Sequence, residues 1–209
     1  MNIEEKQPRG RPRAFDKDRA LEMAMVLFWQ NGYEGTSIMD LTSALGITPP
    51  SLYAAFGSKD ALYREALALY LSIRSDRMIK AIEKKGSARA AVEAMLKEAA
   101  DLFASGDGPR GCLVANGVLR CAAEHHPVAE HTAMLRRLAP DAIKRRLDRA
   151  KGEEELPPGA DTTALASFYA SVIQGMSIQA VDGASRTRLR DIAKCAMAAW
   201  PSSLAQAAD

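Results

Sequence analysis

This 209-residue chain has few cysteines, few aromatic residues and little net charge. Its three cysteines are an odd number for so long a chain, which does not suit a disulfide framework and indicates a reducing compartment. Aromatic residues make up 6% of the chain, and β-branched residues form no alternating runs, so nothing favours a β-sheet. The net charge is only +2, so total charge alone does not identify a nucleic-acid-binding protein.

Long apolar runs are also missing from the sequence. No stretch approaches the ~20 apolar residues that a membrane-spanning helix needs. The N-terminus is polar and basic, without the apolar core of a secretory signal. We therefore expect a cytoplasmic protein that makes no contact with a membrane.

Residues that favour helices are abundant in the sequence. The chain is rich in Ala, Leu, Met, Glu, Lys and Arg, with 47% hydrophobic and 26% charged residues. This composition predicts an all-α protein.

Residues 16–57 contain three predicted helices with clear start and stop signals. The first begins after Asp16, a suitable N-cap, and ends near Gly32. The second begins at Ser37, which has the spacing of a capping box with Asp40, and ends at Gly46. Its short length and the Gly-containing turn that follows are typical of a helix-turn-helix.

The third helix, in the segment "ITPPSLYAAFG", would be only two turns long. Thr48 is suited to be its N-cap, and Pro49 and Pro50 fall in the first turn, where backbone N–H groups have no partner within the helix. Leu52 and Phe56 are four residues apart and define an inward face. So short a helix buries little surface, which favours a role in presenting side chains to a DNA groove.

Longer helices are predicted for the rest of the chain, and Pro140 should kink or divide one of them. The first begins at Ser58 and continues past Ile82. The others are expected at about 87–105, 110–126, 128–150, 161–181 and 185–200. Small residues in the last two helices fit a dimer interface, and an intrachain core explains them equally well.

Several signals for other chemistry are weak. The G-x-G-x-x-G pattern at 106–111 follows a predicted helix rather than a strand, so we interpret it as a loop. The cluster Cys121, His125, His126 and His131 is interrupted by Pro127 and lacks a structural-zinc spacing, so no metal site is expected. No catalytic constellation is evident, and we expect neither an enzyme nor a cofactor.

Cys112 leaves two interpretations open. It follows Arg110 and Gly111 at a predicted helix start, where a lowered pKa would suit a redox sensor. The favoured alternative is a buried and unreactive thiol.

The N-terminal region resembles the DNA-binding domain of the tetracycline-repressor (TetR) family of bacterial transcription regulators. The resemblance covers roughly residues 14 to 65; the rest of the chain is similar only in helical character and length. It rests on these residues, in order and at family spacing: Phe28, Gly32, Tyr33, Thr36, Leu41, Gly46, Ser51, Leu52, Tyr53, Phe56, Lys59 and Leu62. It implies a homodimer, formed through the last two helices, whose recognition helices enter successive major grooves of a near-palindromic DNA operator.

The same resemblance implies which side chains contact DNA. Thr36 and Ser37 are expected near backbone phosphates, and Tyr53 and Lys59 are similar to the family's phosphate-binding tyrosine and lysine. The residues expected along the groove are Thr48, Pro50, Ser51 and Ala55. Because most of these are apolar or small, we expect thymine methyl contacts, hydroxyl contacts and DNA shape to supply specificity.

A basic arm precedes the helices. Arg9, Arg11 and Arg13 alternate with Gly10 and Pro12, a pattern suited to a narrow A·T-rich minor groove, although a solvated tail has the same composition. Beside a helix-turn-helix, contact with DNA is the favoured interpretation.

Three segments are therefore predicted: a flexible basic arm (1–14), a helix-turn-helix domain (15–65), and a ligand-binding and dimerisation domain (66–209). The resemblance implies a repressor released by a small-molecule effector. Candidate pocket residues, chosen by amphipathic position, are Met95, Phe103, Leu113, Asn116, Met134, Phe168 and Tyr169. The alternatives are a constitutive DNA-binding regulator without a ligand, and a helical enzyme with a DNA-binding-like head.

Overall fold

The structure, a computed structural model, describes residues 16–84 and 86–201. All regular secondary structure within these two ranges is helical, which confirms the all-α fold. The helices form an N-terminal head followed by a larger helical bundle.

Four helices build the head, and side-chain caps start each of them. They are α1 (Lys17–Asn31), α2 (Ile38–Leu45), α3 (Pro49–Phe56) and α4 (Lys59–Tyr70). The side chains of Asp16, Ser37, Thr48 and Ser58 each accept a hydrogen bond from a first-turn N–H group. The predicted boundaries therefore follow from local capping chemistry.

The predicted long helix after Ser58 is interrupted once. A π-helical segment (Leu71–Ser75) separates α4 from α5 (Asp76–Glu83). Such segments insert an extra residue per turn and are frequent at functional sites.

The bundle contains six further α-helices. They are α6 (Ala88–Phe103), α7 (Leu113–Asn116), α8 (His126–Arg136), α9 (Leu138–Gly152), α10 (Thr162–Val181) and α11 (Arg186–Ala198). Pro140 lies in the first turn of α9, where it needs no hydrogen-bond partner, and the chain divides just before it, as predicted.

The helix predicted over 110–126 is wrong. Only the single turn of α7 and a 3₁₀ turn (Ala123–His125) form within that range. The carbonyl of Gly117 turns away to accept a hydrogen bond from the Tyr33 N–H, at 2.7 Å. A Cβ at Gly117 would meet the Tyr63 hydroxyl and would lie 2.6 Å from the Leu113 carbonyl oxygen, so close packing against the head overrides helix propensity here.

Two groups of buried residues form the interior. One lies in the bundle and includes Met95, Phe103, Ile143 and Tyr169. The other lies in the head, where Phe28, Tyr33 and Tyr63 pack together, and it also takes in residues of the segment 113–128. The bundle therefore contributes side chains to the core of the head.

Contrary to the expectation from sequence, helix α10 has the length and composition of a membrane-spanning helix: it has no charged residue in 20, and an 18-residue window of it has a mean hydropathy of 1.2. Its buried side, which includes Tyr169, Ile173 and Met176, packs against α6, α9 and α11. That is the position of a core helix in a bundle.

Candidate nucleic-acid interface and ligand cavity

The two hydroxyls in the first turn of α3 lie next to each other on the surface. The Thr48 hydroxyl lies 3.0 Å from that of Ser51 and accepts a hydrogen bond from the Ser51 N–H at 3.4 Å. Pro49 and Pro50 occupy the first two helical positions and have no N–H to donate. The start of α3 therefore presents apolar surface and two hydroxyls, and it offers few backbone donors to a phosphate.

One side of α3 packs inward and the other is exposed. Leu52 and Phe56 are buried in the head, as the spacing predicts. Of the residues expected along DNA, Thr48, Pro50 and Ser51 are exposed, Tyr53 is 46% exposed, and Ala55 is half-buried against the core. The exposed side is short and free of charged side chains.

The start of α2 has a complete capping box. Ser37 donates through its hydroxyl and its N–H to the Asp40 carboxylate, at 2.7 Å and 2.8 Å, and these bonds lower the pKa of Asp40. Ser37 is exposed, as its expected role requires. A phosphate approaching here would meet the nearby negative charge of Asp40.

Thr36 is not placed where it could contact a DNA phosphate. It is fully buried, and its hydroxyl donates to the Gly32 carbonyl at 2.7 Å. Because the side chain closes the turn after α1, we leave Thr36 out of the proposed phosphate contacts.

Lys59 lies at the edge of the exposed surface, at the start of α4. Its ammonium group is 4.1 Å from the centroid of the Tyr33 ring, and partial burial lowers its pKa. A half-buried lysine supported by an aromatic ring is a well-positioned cation for a phosphate.

Arg9, Arg11 and Arg13 lie outside the described residues, but their charges matter to the head. Residues 16–64 contain four basic and six acidic side chains, whereas residues 1–15 contain four basic and two acidic ones. Any net attraction of this region for DNA must therefore come largely from the arm.

A polar cluster joins the head to the bundle, and sequence reasoning missed it. The Tyr33 hydroxyl donates to Asp60 and lies 2.9 Å from Nδ1 of His125, which is 3.3 Å from the Asp60 carboxylate. Burial, followed by the hydrogen bond to Asp60, raises the pKa of Tyr33. Beside this cluster, the Ala122 N–H donates to the Glu34 carboxylate at 3.0 Å.

An apolar cavity of about 110 Å³ lies in the bundle next to the π-helical segment. Its lining residues are Leu71, Met78, Ile79, Met95, Phe103, Cys112, Val114, Ala115, Leu135, Arg136, Leu138, Ala139, Ala170, Ile173 and Gln174. Two of the residues predicted for a ligand pocket, Met95 and Phe103, are among them.

The other five pocket candidates have different surroundings. Leu113 belongs to the core of the head, and Asn116 donates to the Ser177 hydroxyl at 3.0 Å. Tyr169 is buried between Phe168 and Trp200. Met134 and Phe168 are 58% and 41% exposed. Amphipathic position therefore selected two residues that are exposed, and it does not distinguish a cavity wall from filled core.

The cysteine and histidine signals lead to no site in the described ranges. No group of three His, Cys, Asp or Glu residues within them is arranged to hold a metal ion. Burial raises the pKa of the Cys112 thiol, which keeps it protonated at neutral pH. Of the two interpretations left open for Cys112, this favours the unreactive one.

Comparison with known proteins gives matches along nearly the whole chain. The profile described as "Bacterial regulatory proteins, tetR family" matches residues 20–66, and "Tetracyclin repressor-like, C-terminal domain" matches residues 88–196. The chain is 36% identical over 199 residues to the HTH-type transcriptional repressor ComR of Escherichia coli (strain K12), covering 94% of each chain. It is 31% identical over 205 residues to the repressor BdcR of the same organism, covering 94% of this chain and 93% of BdcR.

A solved structure extends the similarity to three dimensions. It contains a cysteine-substituted form of the TetR family transcriptional regulator CifR, complexed with 26-bp double-strand operator DNA. The TM-score is 0.86 and the identity 42%, over 92% of this chain and 100% of that one.

Proposed function

The chain belongs to the tetR family of bacterial regulatory proteins, and on this premise we propose that it is a transcriptional repressor whose hold on operator DNA is controlled by a small molecule. The observation that carries the proposal is α3, a two-turn helix that buries Leu52 and Phe56 and leaves its remaining side exposed. A regulator that is 42% identical has been solved on operator DNA, which supports the same use of the same head. Since the operator is DNA, we propose a cytoplasmic location.

Contacts with DNA divide into two kinds under this proposal. Ser37, Tyr53 and Lys59 hold the phosphate backbone, together with the arginines of the arm. Pro50 and the hydroxyls of Thr48 and Ser51 lie along the major groove. Ala55 is half-buried and packs α3 against the core of the head. Few of these groups can form bidentate hydrogen bonds with bases, so thymine methyls and DNA shape contribute much of the specificity.

Selection of bound fragments from random duplex DNA tests the proposal directly. We expect a near-palindromic sequence with half-sites about 10 base pairs apart or a multiple of that spacing. Tyr53→Ala should weaken binding to all sequences alike, and Tyr53→Phe, which removes only the hydroxyl, should weaken it in the same uniform way because that hydroxyl is the phosphate donor. Recovery of no enriched sequence would overturn the proposal, and a changed consensus for Tyr53→Ala would refute a phosphate role.

The arm can be tested through its salt dependence. Replacing Arg9, Arg11 and Arg13 together by Gln should lower the slope of log affinity against log salt by up to ~2.7, because each lost phosphate contact removes about 0.9. The matched triple replacement by Lys keeps the charges and should keep the slope. An unchanged slope in the Gln variant would show that the arm does not bind phosphates.

A homodimer through α10 and α11 is the second part of the proposal. Phe168 and Ile178 are 41% and 53% exposed on α10, which has no charged residue, so an apolar surface is available for a second copy. Ile178→Glu should convert the dimer to a monomer in sedimentation analysis and weaken operator binding. Leu119→Glu, at an apolar residue that is 66% exposed elsewhere, should do neither. Retention of the dimer by Ile178→Glu would refute this interface.

The cavity favours an effector over a constitutive regulator. An effector releases DNA only if it prefers a conformation of the protein whose heads no longer match the half-site spacing. Met95 and Phe103 are the proposed contacts predicted from sequence, and the remaining lining residues were found only in the structure.

A further inference from the structure

The size of the cavity limits what it can hold. A cavity of about 150 Å³ lined by Leu, Ile and Phe is known to bind benzene. The present volume of about 110 Å³ therefore leaves room for an apolar group of about four to six carbons. Met78 and Met95 are flexible enough to adapt the wall to somewhat different shapes.

Arg136, the last residue of α8, is the one formally charged side chain among the residues that line this cavity. Its Nη1 donates to the Val118 carbonyl at 2.9 Å and to the Val114 carbonyl at 3.4 Å. Burial lowers its pKa, and Tyr63, the side chain that interacts with it electrostatically, is uncharged at neutral pH because burial raises the pKa of Tyr63. Within the described residues, this half-buried guanidinium therefore has carbonyl partners and no carboxylate counter-ion.

The carbonyls that Arg136 holds belong to the segment that joins the cavity to the head. Val114 lines the cavity and also packs in the core of the head. Gly117, between Val114 and Val118, accepts the hydrogen bond from Tyr33. A change in the hydrogen bonds of Arg136 thus acts on the segment that docks the head.

We propose that the effector is a small carboxylate with an apolar body of about four to six carbons, whose anionic group pairs with Arg136. The inference rests on the proposed function, since it names the ligand class of the same cavity. An uncompensated guanidinium beside apolar walls binds a carboxylate more strongly than a neutral group, because charge-assisted bidentate hydrogen bonds form where little water competes. The guanidinium then pairs with the carboxylate and gives up its hydrogen bonds to the Val114 and Val118 carbonyls. Segment 114–118 loses these two contacts, and this weakens its packing against the head.

Calorimetric titration of the full-length protein without DNA tests the ligand class independently of the operator. The probes are butanoate, cyclopentanecarboxylate and benzoate, each paired with its carboxamide, which has nearly the same shape and no charge. At neutral pH at least one carboxylate should bind at least tenfold more tightly than its amide. If no carboxylate binds more tightly than its amide, the proposal is overturned.

Variants then assign the preference to Arg136. Arg136→Gln keeps a donor for the carbonyls but removes the charge, so the preference for the carboxylate should fall below threefold. Arg136→Lys keeps the charge and should keep part of the preference. Arg137→Gln, an exposed neighbour outside the cavity lining, should leave it unchanged. A tenfold preference retained by a folded Arg136→Gln would overturn the proposal, and the wild-type comparison decides the ligand class even if that variant does not fold.

A mobility-shift assay with the selected operator tests the coupling. The carboxylate with the highest affinity should release the operator from the wild type, and its amide should not. Binding without release would overturn the coupling through the Val114 and Val118 carbonyls. If no operator can be selected, the proposed DNA function fails while the calorimetric result still decides the ligand class, so the two failures are distinguishable.

Discussion

Replacement of Tyr33 by Phe should loosen the contact between the head and the bundle without disturbing the core. The ring of Tyr33 is fully buried and would remain in place. Only the hydroxyl is removed, together with its hydrogen bond to Asp60 and its contact with Nδ1 of His125 at 2.9 Å. The substitution therefore removes the two polar contacts of one hydroxyl, to residues 27 and 92 positions away.

The expected cost follows from the partners that remain. A hydrogen bond to a charged group contributes about 1.5–3 kcal/mol, and the side chains of Asp60 and His125 are 33% and 26% exposed, so water partly compensates. We expect the free energy of unfolding to fall by about 1–2 kcal/mol at neutral pH. The raised pKa of Tyr33 adds a pH dependence: the stabilisation is present below the unfolded pKa of about 10 and is lost as pH rises further. Tyr33→Phe should therefore lose less stability than the wild type above that pH.

Urea unfolding of the wild type, Tyr33→Phe, His125→Ala and the double variant measures the effect and its origin. The two substitutions should be non-additive by about 0.5–1.5 kcal/mol, because they remove the same contact. Tyr53→Phe, at a tyrosine that is 46% exposed, should change stability by less than about 0.5 kcal/mol. Strict additivity, or a loss for Tyr33→Phe no larger than for the control, would refute the reasoning.

Three further substitutions or reactions test other parts of the structure. Ser37→Ala removes the N-cap of α2 and should cost about 1 kcal/mol in urea unfolding; no loss would show that the capping box is dispensable. Gly117→Ala should cost about 1–3 kcal/mol through crowding, whereas Gly152→Ala, where a Cβ meets open space, should be nearly neutral; equal effects would refute the crowding. Alkylation followed by mass spectrometry should modify the exposed Cys195 well before Cys112 at pH 7, and the Cys112 reaction should accelerate as pH rises; a faster Cys112 would contradict its raised pKa.

The head could be predicted from sequence because its signals are local. The capping side chains of four helices each bond to a backbone N–H only three residues later, so both partners of each hydrogen bond lie within a short stretch of sequence. These capping residues are Asp16, Ser37, Thr48 and Ser58. The inward face of α3 follows in the same way from the spacing of two apolar residues. Residue order also carried the family resemblance, and the comparisons confirmed it.

The segment 110–126 could not be predicted because its partners are distant in sequence. Its composition suits a helix, but Gly117 pairs with Tyr33 and Arg136 takes the Val114 and Val118 carbonyls that a longer helix would have used. No periodic pattern encodes such contacts. Most of the cavity lining was missed for a related reason: a cavity depends on how well helices fill the space between them, whereas periodicity reports only which side of a helix faces inward.

The charge distribution of the head is the reason for dividing the proposed DNA contacts between two regions. Residues 16–64 carry more acidic than basic side chains, and the first turn of α3 has two prolines where other helices offer N–H groups to phosphates. Such a head is poorly attracted to DNA by itself, and under the proposed function its small, uncharged recognition surface lies against bases and their methyl groups. We propose that the arginines that precede α1 supply the missing attraction. On this proposal, affinity depends mainly on the arm and its salt-sensitive phosphate contacts, and discrimination among sequences depends on the shape of α3.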